Sequence, residues 1–276
     1  MGLIRREQVA GMNIHYLFYS LDYFLEAQKA AGFETIELWA GAPHFYLDSI
    51  GYPDCKEISR KIKSNGLQVK VFTAENCTYQ YQIGAQTKEL REKSFQYFRN
   101  GIQAAAELGC KIVQTNSGWG YWNEDRGEAW NRSREMLSRL ADEAEKFDLN
   151  LAMETLRPDE SQLVVTLEDA KRMYDEIHHP NFKVMIDTVP MSIAGETLDQ
   201  WFETFGSNII HTHFIDCNPY GHLIWGDGNR NMREFLEVLD KYNYKGCLGQ
   251  EITDFRYFRN PAEQDKRNMK EFEKFF

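Results

Sequence analysis

Short apolar runs rich in β-branched residues alternate with longer amphipathic segments along the whole chain. The strand-like runs are Ala10–His15, Thr35–Trp39, Gln68–Thr73, Lys111–Thr115, Asn150–Glu154, Lys183–Asp187, Ile209–Phe214 and Gly246–Ile252. The amphipathic segments predict helices near Leu21–Ala31, Cys55–Ser64, Lys88–Leu108, Glu128–Phe147, Leu167–Glu176, Leu198–Phe205, Met232–Tyr242 and Ala262–Phe275. Strands separated by helix-length segments are typical of right-handed βαβ units in a parallel sheet.

The number of these units indicates a closed barrel, because an open doubly wound sheet usually needs fewer strands. A length of 276 residues is normal for one such barrel, and no linker rich in Pro, Gly or Ser divides the chain. We therefore predict an α/β fold, a single (β/α)8 TIM barrel, with one domain over residues 1–276.

Polar residues end the last four strand-like runs, where a barrel enzyme would place its chemistry. These residues are Glu154, Asp187, His213 and Glu251. The carboxyl ends of barrel strands gather at one rim, so the four side chains are expected to lie close together. Carboxylates with one imidazole suit a hard divalent cation, Mn²⁺ first, with Mg²⁺ or Co²⁺ as alternatives.

Each of these residues also has a structural interpretation when it is taken alone. Glu154 and Glu251 could be solvated acids at strand ends, and Asp187 could cap the turn that follows it. His211 lies two residues before His213, so both face the same side of a strand, and one could be a core histidine. The same pattern on consecutive strands favours the metal site over four separate structural roles.

Charge and hydropathy exclude two classes of partner. The formal net charge of −10 argues against binding of duplex DNA, which normally requires a basic face. No apolar run reaches the roughly 20 residues that a membrane span needs. The cysteines are five, scattered and never in a Cys-x-x-Cys pair, which predicts free thiols in a cytoplasmic protein.

The ordered motifs resemble those of the xylose-isomerase-like TIM barrels, a group that includes sugar isomerases, ketose 3-epimerases and endonuclease IV. The resemblance covers nearly the whole chain and is strongest to the D-tagatose/D-psicose and fructoselysine 3-epimerases. The stretches that carry it are Ile36-Glu-Leu-Trp-Ala-Gly-Ala-Pro-His44, Met153-Glu-Thr-Leu-Arg-Pro-Asp-Glu-Ser161, Met185-Ile-Asp187, His211-Thr-His-Phe-Ile-Asp216 and Gly226-Asp-Gly228.

This resemblance implies metal-dependent epimerisation of a small sugar at the carbon beside its carbonyl. Glu154 and Glu251 match the family's acid–base pair, and the metal ligands would be Glu154, Asp187, His213 and Glu251. The candidate substrate-binding residues are Glu160, His44 and His222. Glu160 could instead cap a helix, and His44 could do the same. The resemblance also implies a homodimer.

Two departures from the ketose 3-epimerases bear on the substrate. Pro190 stands where those enzymes have a substrate-binding histidine, and Pro219 stands where they have an arginine. A free ketohexose is therefore less suitable than a substituted sugar such as a fructosamine.

Other functions remain open at this stage. The same metal site could support an aldose–ketose or hydroxy-acid isomerase, or a dehydratase of the inositol type. A nuclease like endonuclease IV is disfavoured by the net charge and by Tyr220, which stands where that enzyme has a metal-binding aspartate. A non-catalytic sugar-binding barrel is a further alternative, because fold alone does not decide function.

Overall fold

The structure is a computed structural model that describes residues 2–76 and 80–276. It contains a closed barrel in which every neighbouring pair of strands runs parallel. The barrel strands are β1 (Val9–Met12), β2 (Thr35–Ala40), β3 (Gln68–Ala74), β4 (Ile112–Asn116), β5 (Asn150–Glu154), β6 (Phe182–Asp187), β7 (Ile209–His213) and β10 (Cys247–Gln250). The predicted (β/α)8 fold is confirmed.

The helices of the described residues alternate with these strands. They are α1 (Leu21–Ala31), α2 (Cys55–Ser64), α3 (Lys88–Leu108), α4 (Arg126–Glu145), α5 (Leu167–Ile177), α6 (Thr188–Ile193), α7 (Leu198–Phe205), α8 (Met232–Lys241) and α9 (Pro261–Phe272). Between β7 and α8 the short strands β8 (Asp216–Asn218) and β9 (Tyr220–Leu223) pair as an antiparallel hairpin. The sequence pattern predicted neither this hairpin nor α6.

Local side-chain chemistry fixes where the longer helices begin and end. Thr87 precedes α3 and accepts a hydrogen bond from the backbone N–H of Leu90, which satisfies a free donor of the first turn. Gly109 follows the same helix with φ of 80°, a left-handed conformation that glycine adopts without steric cost. These signals explain why the predicted bounds of α3 agree with the structure.

Residues that alternate along the strands point into the barrel and build its interior in layers. Near the amino ends of the strands, Ala10, Val71 and Cys247 form a small apolar cluster with Ile112 packed against it. Two residues further along β3, β4 and β10 come Thr73, Gln114 and Gly249. The interior therefore changes from apolar to polar toward the carboxyl ends, where the candidate site lies.

The first strand is shorter than the sequence pattern predicted. We expected it to run to His15, but β1 ends at Met12. The side chain of Asn13 takes over the contact with the neighbouring strand, because its Oδ1 accepts from Trp39 N at 2.7 Å and its Nδ2 donates to Trp39 O at 2.9 Å. The amide side chain thus replaces the backbone pairing that a longer strand would make.

A buried carboxylate connects the last helix to the start of the chain. Asp265 in α9 is fully buried and accepts hydrogen bonds from His15 Nε2 at 2.9 Å and Tyr16 Oη at 2.6 Å. Gln28 Nε2 in α1 donates to the same carboxylate. Because buried polar groups are costly unless they are paired, this cluster favours closure of the barrel between its first and last units.

The cysteines and the lengths of the helices can also be read from the described residues. Cys55, Cys110, Cys217 and Cys247 are free and buried, in agreement with the prediction of unpaired thiols, whereas Cys77 lies outside the described residues. None of the helices in the described part of the chain combines the length and apolar character needed to cross a bilayer.

Candidate metal centre and active site

The structure brings the four predicted metal ligands together at the carboxyl ends of the strands. Glu154 ends β5, Asp187 ends β6, His213 ends β7, and Glu251 directly follows β10. Each offers one ligand atom, and these atoms all lie within 4.8 Å of one another. Glu154, Asp187 and His213 are buried, whereas Glu251 is partly exposed. The arrangement has the donors and the compactness of a divalent-cation site.

The imidazole of His213 lies at the centre of this cluster. Its Nδ1 is 2.5 Å from Glu154 Oε1 and 3.2 Å from Glu251 Oε2. Burial by itself would lower the pKa of His213, but the carboxylates of Glu251, Glu154 and Glu37 hold that pKa well above its usual range. The histidine thus balances carboxylates that would otherwise repel one another in a dry environment.

Two buried atoms of the cluster have no hydrogen-bond partner among the described residues, and both face the centre of the site. They are Glu154 Oε1 and His213 Nδ1, which approach each other without hydrogen-bond alignment. Buried polar atoms are rarely left without partners unless an ion or water satisfies them. These residues therefore fit a bound cation.

Hydrogen bonds from neighbouring strands hold the other oxygen of Glu154. Gln114 Nε2 donates to Glu154 Oε2 at 2.6 Å, and Gln114 Oε1 accepts from Asn76 Nδ2 at 2.8 Å. Asn116 Nδ2 in turn donates to Asn76 Oδ1 at 2.8 Å. This amide relay orients the carboxylate so that Oε1 faces the cluster. Burial, together with the carboxylates of Glu251 and Asp187, raises the pKa of Glu154 against the opposing effect of His213.

Asp187 caps a helix, as one interpretation predicted, and also belongs to the cluster; its role as a metal ligand stays a prediction. Its Oδ1 accepts from the backbone N–H of Val189 at 2.8 Å and caps α6. Its Oδ2 remains directed toward the site and lies 3.0 Å from His222 Nε2. Pro190 forms part of this short helix and is buried.

His222 on the hairpin reaches the same cluster, although the four-residue pattern did not include it. Its Nε2 lies 3.0 Å from Asp187 Oδ2 and 3.2 Å from Glu251 Oε2. Burial would lower the pKa of His222, yet these two carboxylates raise it to about 9. The position is compatible with the predicted role in substrate binding, which stays a prediction.

A second buried carboxylate anchors the loop that carries His222. Asp216 Oδ1 accepts from the backbone N–H groups of Cys217 and Arg230 at 2.8 and 3.0 Å. Its Oδ2 accepts from the backbone N–H groups of Gly226 and Gly228 at 3.1 and 2.9 Å. A Cβ at position 228 would overlap Asp216 Oδ1, which explains glycine at that position.

The structure places His44 and Glu160 differently from His222. His44 Nδ1 accepts from Asn13 Nδ2 and its Nε2 donates to Tyr19 O, both at 2.8 Å, so each ring nitrogen has a protein partner. Glu160 does not cap a helix; its Oε1 pairs with Arg157 Nη2 at 2.8 Å. Substrate binding by these two residues stays a prediction, and the contacts of His44 favour a structural role.

Glu160 lines a cavity beside the end of β5. The cavity has a volume of about 280 Å³ and is bordered by Trp119, Gly120, Tyr121, Trp122, Asp159 and Glu160. Trp122 and Tyr121 are exposed, and Trp119 packs edge-on against Tyr121. Aromatic faces beside two carboxylates suit a ligand that is partly apolar and carries positive charge.

Sequence reasoning overlooked Glu37, which lies beneath the cluster in β2. It is completely buried and contacts both histidines of β7. Burial opposes its ionisation, but His211 and His213 hold the pKa of Glu37 below its usual range. The available signal was a charged residue inside an otherwise apolar strand, and its partners depend on barrel closure rather than on local sequence.

Known proteins similar in sequence to this chain include sugar epimerases. The fructoselysine 3-epimerase of Shigella flexneri is 23% identical over 243 residues, covering 87% of this chain and 88% of that protein. The D-psicose 3-epimerase of Ruminiclostridium cellulolyticum is 23% identical over 235 residues, covering 83% and 77% respectively.

Structural comparison extends the similarity to the whole fold. The crystal structure of 3-keto-D-glucoside 4-epimerase from E. coli, in its apo form, superposes with a TM-score of 0.81 at 19% identity, covering 97% of this chain and 99% of that one. At this identity the likeness shows a shared fold. The sequence model of the xylose isomerase-like TIM barrel matches residues 25–274. The chain therefore belongs to the xylose isomerase-like TIM barrel family.

Proposed function

We propose that this protein is a metal-dependent epimerase that moves a proton at the carbon next to a ketose carbonyl. The observation that carries the proposal is the cluster of Glu154, Asp187, His213 and Glu251, with ligand atoms within 4.8 Å of one another. The fructoselysine and psicose 3-epimerases among the relatives support carbon 3 as the position of the reaction.

The residues of the cluster would hold Mn²⁺, with Mg²⁺ or Co²⁺ as alternatives, because hard oxygen donors with one imidazole suit these ions. When bound, the ion supplies Lewis acidity to the carbonyl and hydroxyl oxygens of an α-hydroxy ketone. His213 and Asp187 serve as ligands in this proposal and carry no proton in the reaction.

Glu154 and Glu251 would form the acid–base pair. The amide of Gln114 holds Glu154 Oε2, so Oε1, which faces the centre of the cluster, is the oxygen available for proton transfer in this proposal. The Glu251 side chain is 18% exposed and lies on the more open side of the cluster. If one carboxylate removes the proton and the other returns it to the opposite face, the product is the epimer. Proton transfer by a single base between adjacent carbons would instead give an aldose–ketose isomer.

The substrate is proposed to be a ketose with a substituent, such as a fructosamine. Pro190 and Pro219 remove two side chains that would contact a free ketohexose. The cavity between Trp122 and Glu160 supports a larger ligand, and its carboxylates would attract a positively charged tail. Arg157 pairs with both acids, at 2.8 Å to Glu160 and at 3.7 Å to Asp159, so the two carboxylates together leave one net negative charge beside the cavity.

We also propose a cytoplasmic location and a homodimer. Free, buried cysteines support a reducing compartment. The homodimer rests on the resemblance to ketose 3-epimerases.

Replacing His213 by alanine is expected to lower both metal content and thermal stability. The substitution removes a ligand and leaves Glu37, Glu154 and Glu251 without the imidazole between them; breaking such a buried pair costs about 3–5 kcal/mol. The two measurements are the metal content of the purified protein and its Tm in thermal unfolding. His179→Ala is the control, because His179 lies outside the cluster: it makes long ion pairs with Asp142 and Glu145, and its Nδ1 accepts from the backbone N–H of Asn181. Full metal content and an unchanged Tm in His213→Ala would refute the ligand assignment.

Glu154→Gln and Glu251→Gln should each reduce turnover by about 10²–10⁴-fold, because the amide keeps an oxygen but cannot accept the proton. With two bases, each variant should still exchange the carbon-3 hydrogen of one epimer with D₂O without forming the other epimer. The two variants should favour opposite epimers, which NMR detects. Glu89→Gln on the exposed surface of α3 is the control. Loss of exchange for both epimers in one variant only would indicate a one-base isomerase.

A fructosamine should be a better substrate than a plain ketohexose. A site that binds the substituent can use that binding energy in the transition state, so removing the substituent should lower kcat as well as raise KM. The measurement is kcat/KM with saturating Mn²⁺ for fructoselysine, fructose, psicose and tagatose. Equal or higher kcat/KM for a ketohexose would contradict the substituted substrate but leave the epimerase proposal standing.

A further inference from the structure

Glu37 makes a fully buried carboxylate bridge between the two histidines of β7. Its Oε2 lies 2.9 Å from His211 Nε2, and its Oε1 lies 3.1 Å from His213 Nε2. Thr73 Oγ1 in β3 donates to Oε1 at 2.6 Å. All three side chains of the bridge have no exposed surface, so water does not compete for these contacts.

The space for this bridge depends on a glycine in β10, which lies beside β7 in the barrel. A Cβ at Gly249 of β10 would overlap Glu37 Oε2 and press against the ring of His211. The packing of this interior layer therefore leaves space for the carboxylate of Glu37. Its contacts with the two histidines are a specific feature of the barrel. Gly249 immediately precedes Gln250 and the candidate ligand Glu251.

The bridge holds a proton on Nε2 of His213. A carboxylate only accepts hydrogen bonds, so the nitrogen that faces it must be the N–H. Nδ1 also faces carboxylates, so the metal-free ring carries a proton on each nitrogen. A cation bound at the cluster would replace the proton on Nδ1; the neutral ring then keeps its one N–H on Nε2 and presents the free electron pair of Nδ1. That atom faces Glu154 Oε1 and Glu251 Oε2 at the centre of the cluster. Without Glu37, the adjacent Glu154 would favour a proton on Nδ1, where it blocks coordination.

We propose that Glu37 is a positioning residue that keeps His213 in the tautomer and orientation needed to coordinate the divalent ion through Nδ1. This inference rests on the proposed function, because it assumes that His213 is a metal ligand. In this proposal Glu37 is not itself a ligand and acts through the histidine. Hydrogen-bond partners of this kind commonly set the affinity of a metal site.

The test measures Mn²⁺ affinity directly, by the EPR signal of free Mn²⁺ during titration of metal-free protein. Glu37→Leu removes both acceptor oxygens at similar size, and its Kd should rise by about 10–100-fold. Glu37→Gln retains one acceptor oxygen, so its Kd should lie between those of the wild type and Glu37→Leu. A Kd for Glu37→Leu unchanged within error would overturn the inference.

Asp265→Asn provides a matched control for general destabilisation. Asp265 is another fully buried carboxylate that accepts from a histidine Nε2 at 2.9 Å, but it lies in the cluster between α9 and α1. This variant should lose stability and keep the wild-type Kd for Mn²⁺. A matching rise in Kd in this control would overturn the specific role of Glu37.

The wild-type protein allows a test that needs no variant to fold. In the Mg²⁺-loaded protein, long-range ¹H–¹⁵N NMR should show His213 protonated on Nε2 and not on Nδ1. A proton on Nδ1 in the loaded protein would overturn the inference. Absence of any Mn²⁺ or Mg²⁺ binding by the wild type would instead contradict the proposed function, so the two failures can be distinguished.

Discussion

The burial of several carboxylates around one imidazole is the constraint on which the candidate site depends. Glu37 and His213 are fully withdrawn from water, and Asp187 and Glu154 are nearly so. Removing charges from water costs several kcal/mol for each ion unless opposite charges and hydrogen bonds compensate for it. In this structure His213 supplies compensation on two sides, to Glu37 beneath it and to Glu154 and Glu251 above it. A divalent cation would supply the rest of the positive charge that these carboxylates require.

Hydrogen bonds from the surrounding structure fix this arrangement. Gln114 holds one oxygen of Glu154, the first turn of α6 holds one oxygen of Asp187, and each carboxylate presents its other oxygen to the cluster. The hairpin that carries His222 is fixed at its base by Asp216, whose carboxylate accepts backbone N–H groups from both sides of the loop. Such preorganisation reduces the rearrangement required when a metal or substrate binds.

Much of the fold could be predicted because strand and helix signals were local. The run Asn150–Glu154 is a strand of the predicted bounds, and α3 has the predicted bounds because its cap residues are explicit in sequence. The four-residue cluster was also predictable, since parallel strands bring their carboxyl ends to one rim. Predicting these four residues required no contact between distant parts of the chain other than closure of the barrel.

The features of the structure that were not predicted depend on contacts that sequence spacing does not encode. The helix α6 contains Val189 and Pro190, poor signals for a helix, and forms where Asp187 caps its first turn. The motif around His44 predicted a contact with substrate, which stays a prediction, but sequence spacing did not show that Asn13 and Tyr19 contact its ring nitrogens. Glu37 was missed because its partners lie about a hundred and seventy residues away and meet it only across the closed barrel.

The central claim is that the carboxylate–histidine cluster binds a divalent cation through His213 Nδ1. Anomalous X-ray diffraction from crystals grown with Mn²⁺ tests it most directly, because the anomalous signal locates manganese independently of the protein model. A peak is expected among Glu154, Asp187, His213 Nδ1 and Glu251. A peak between Glu37 and His211 instead, or no peak at the cluster under saturating Mn²⁺, would contradict it.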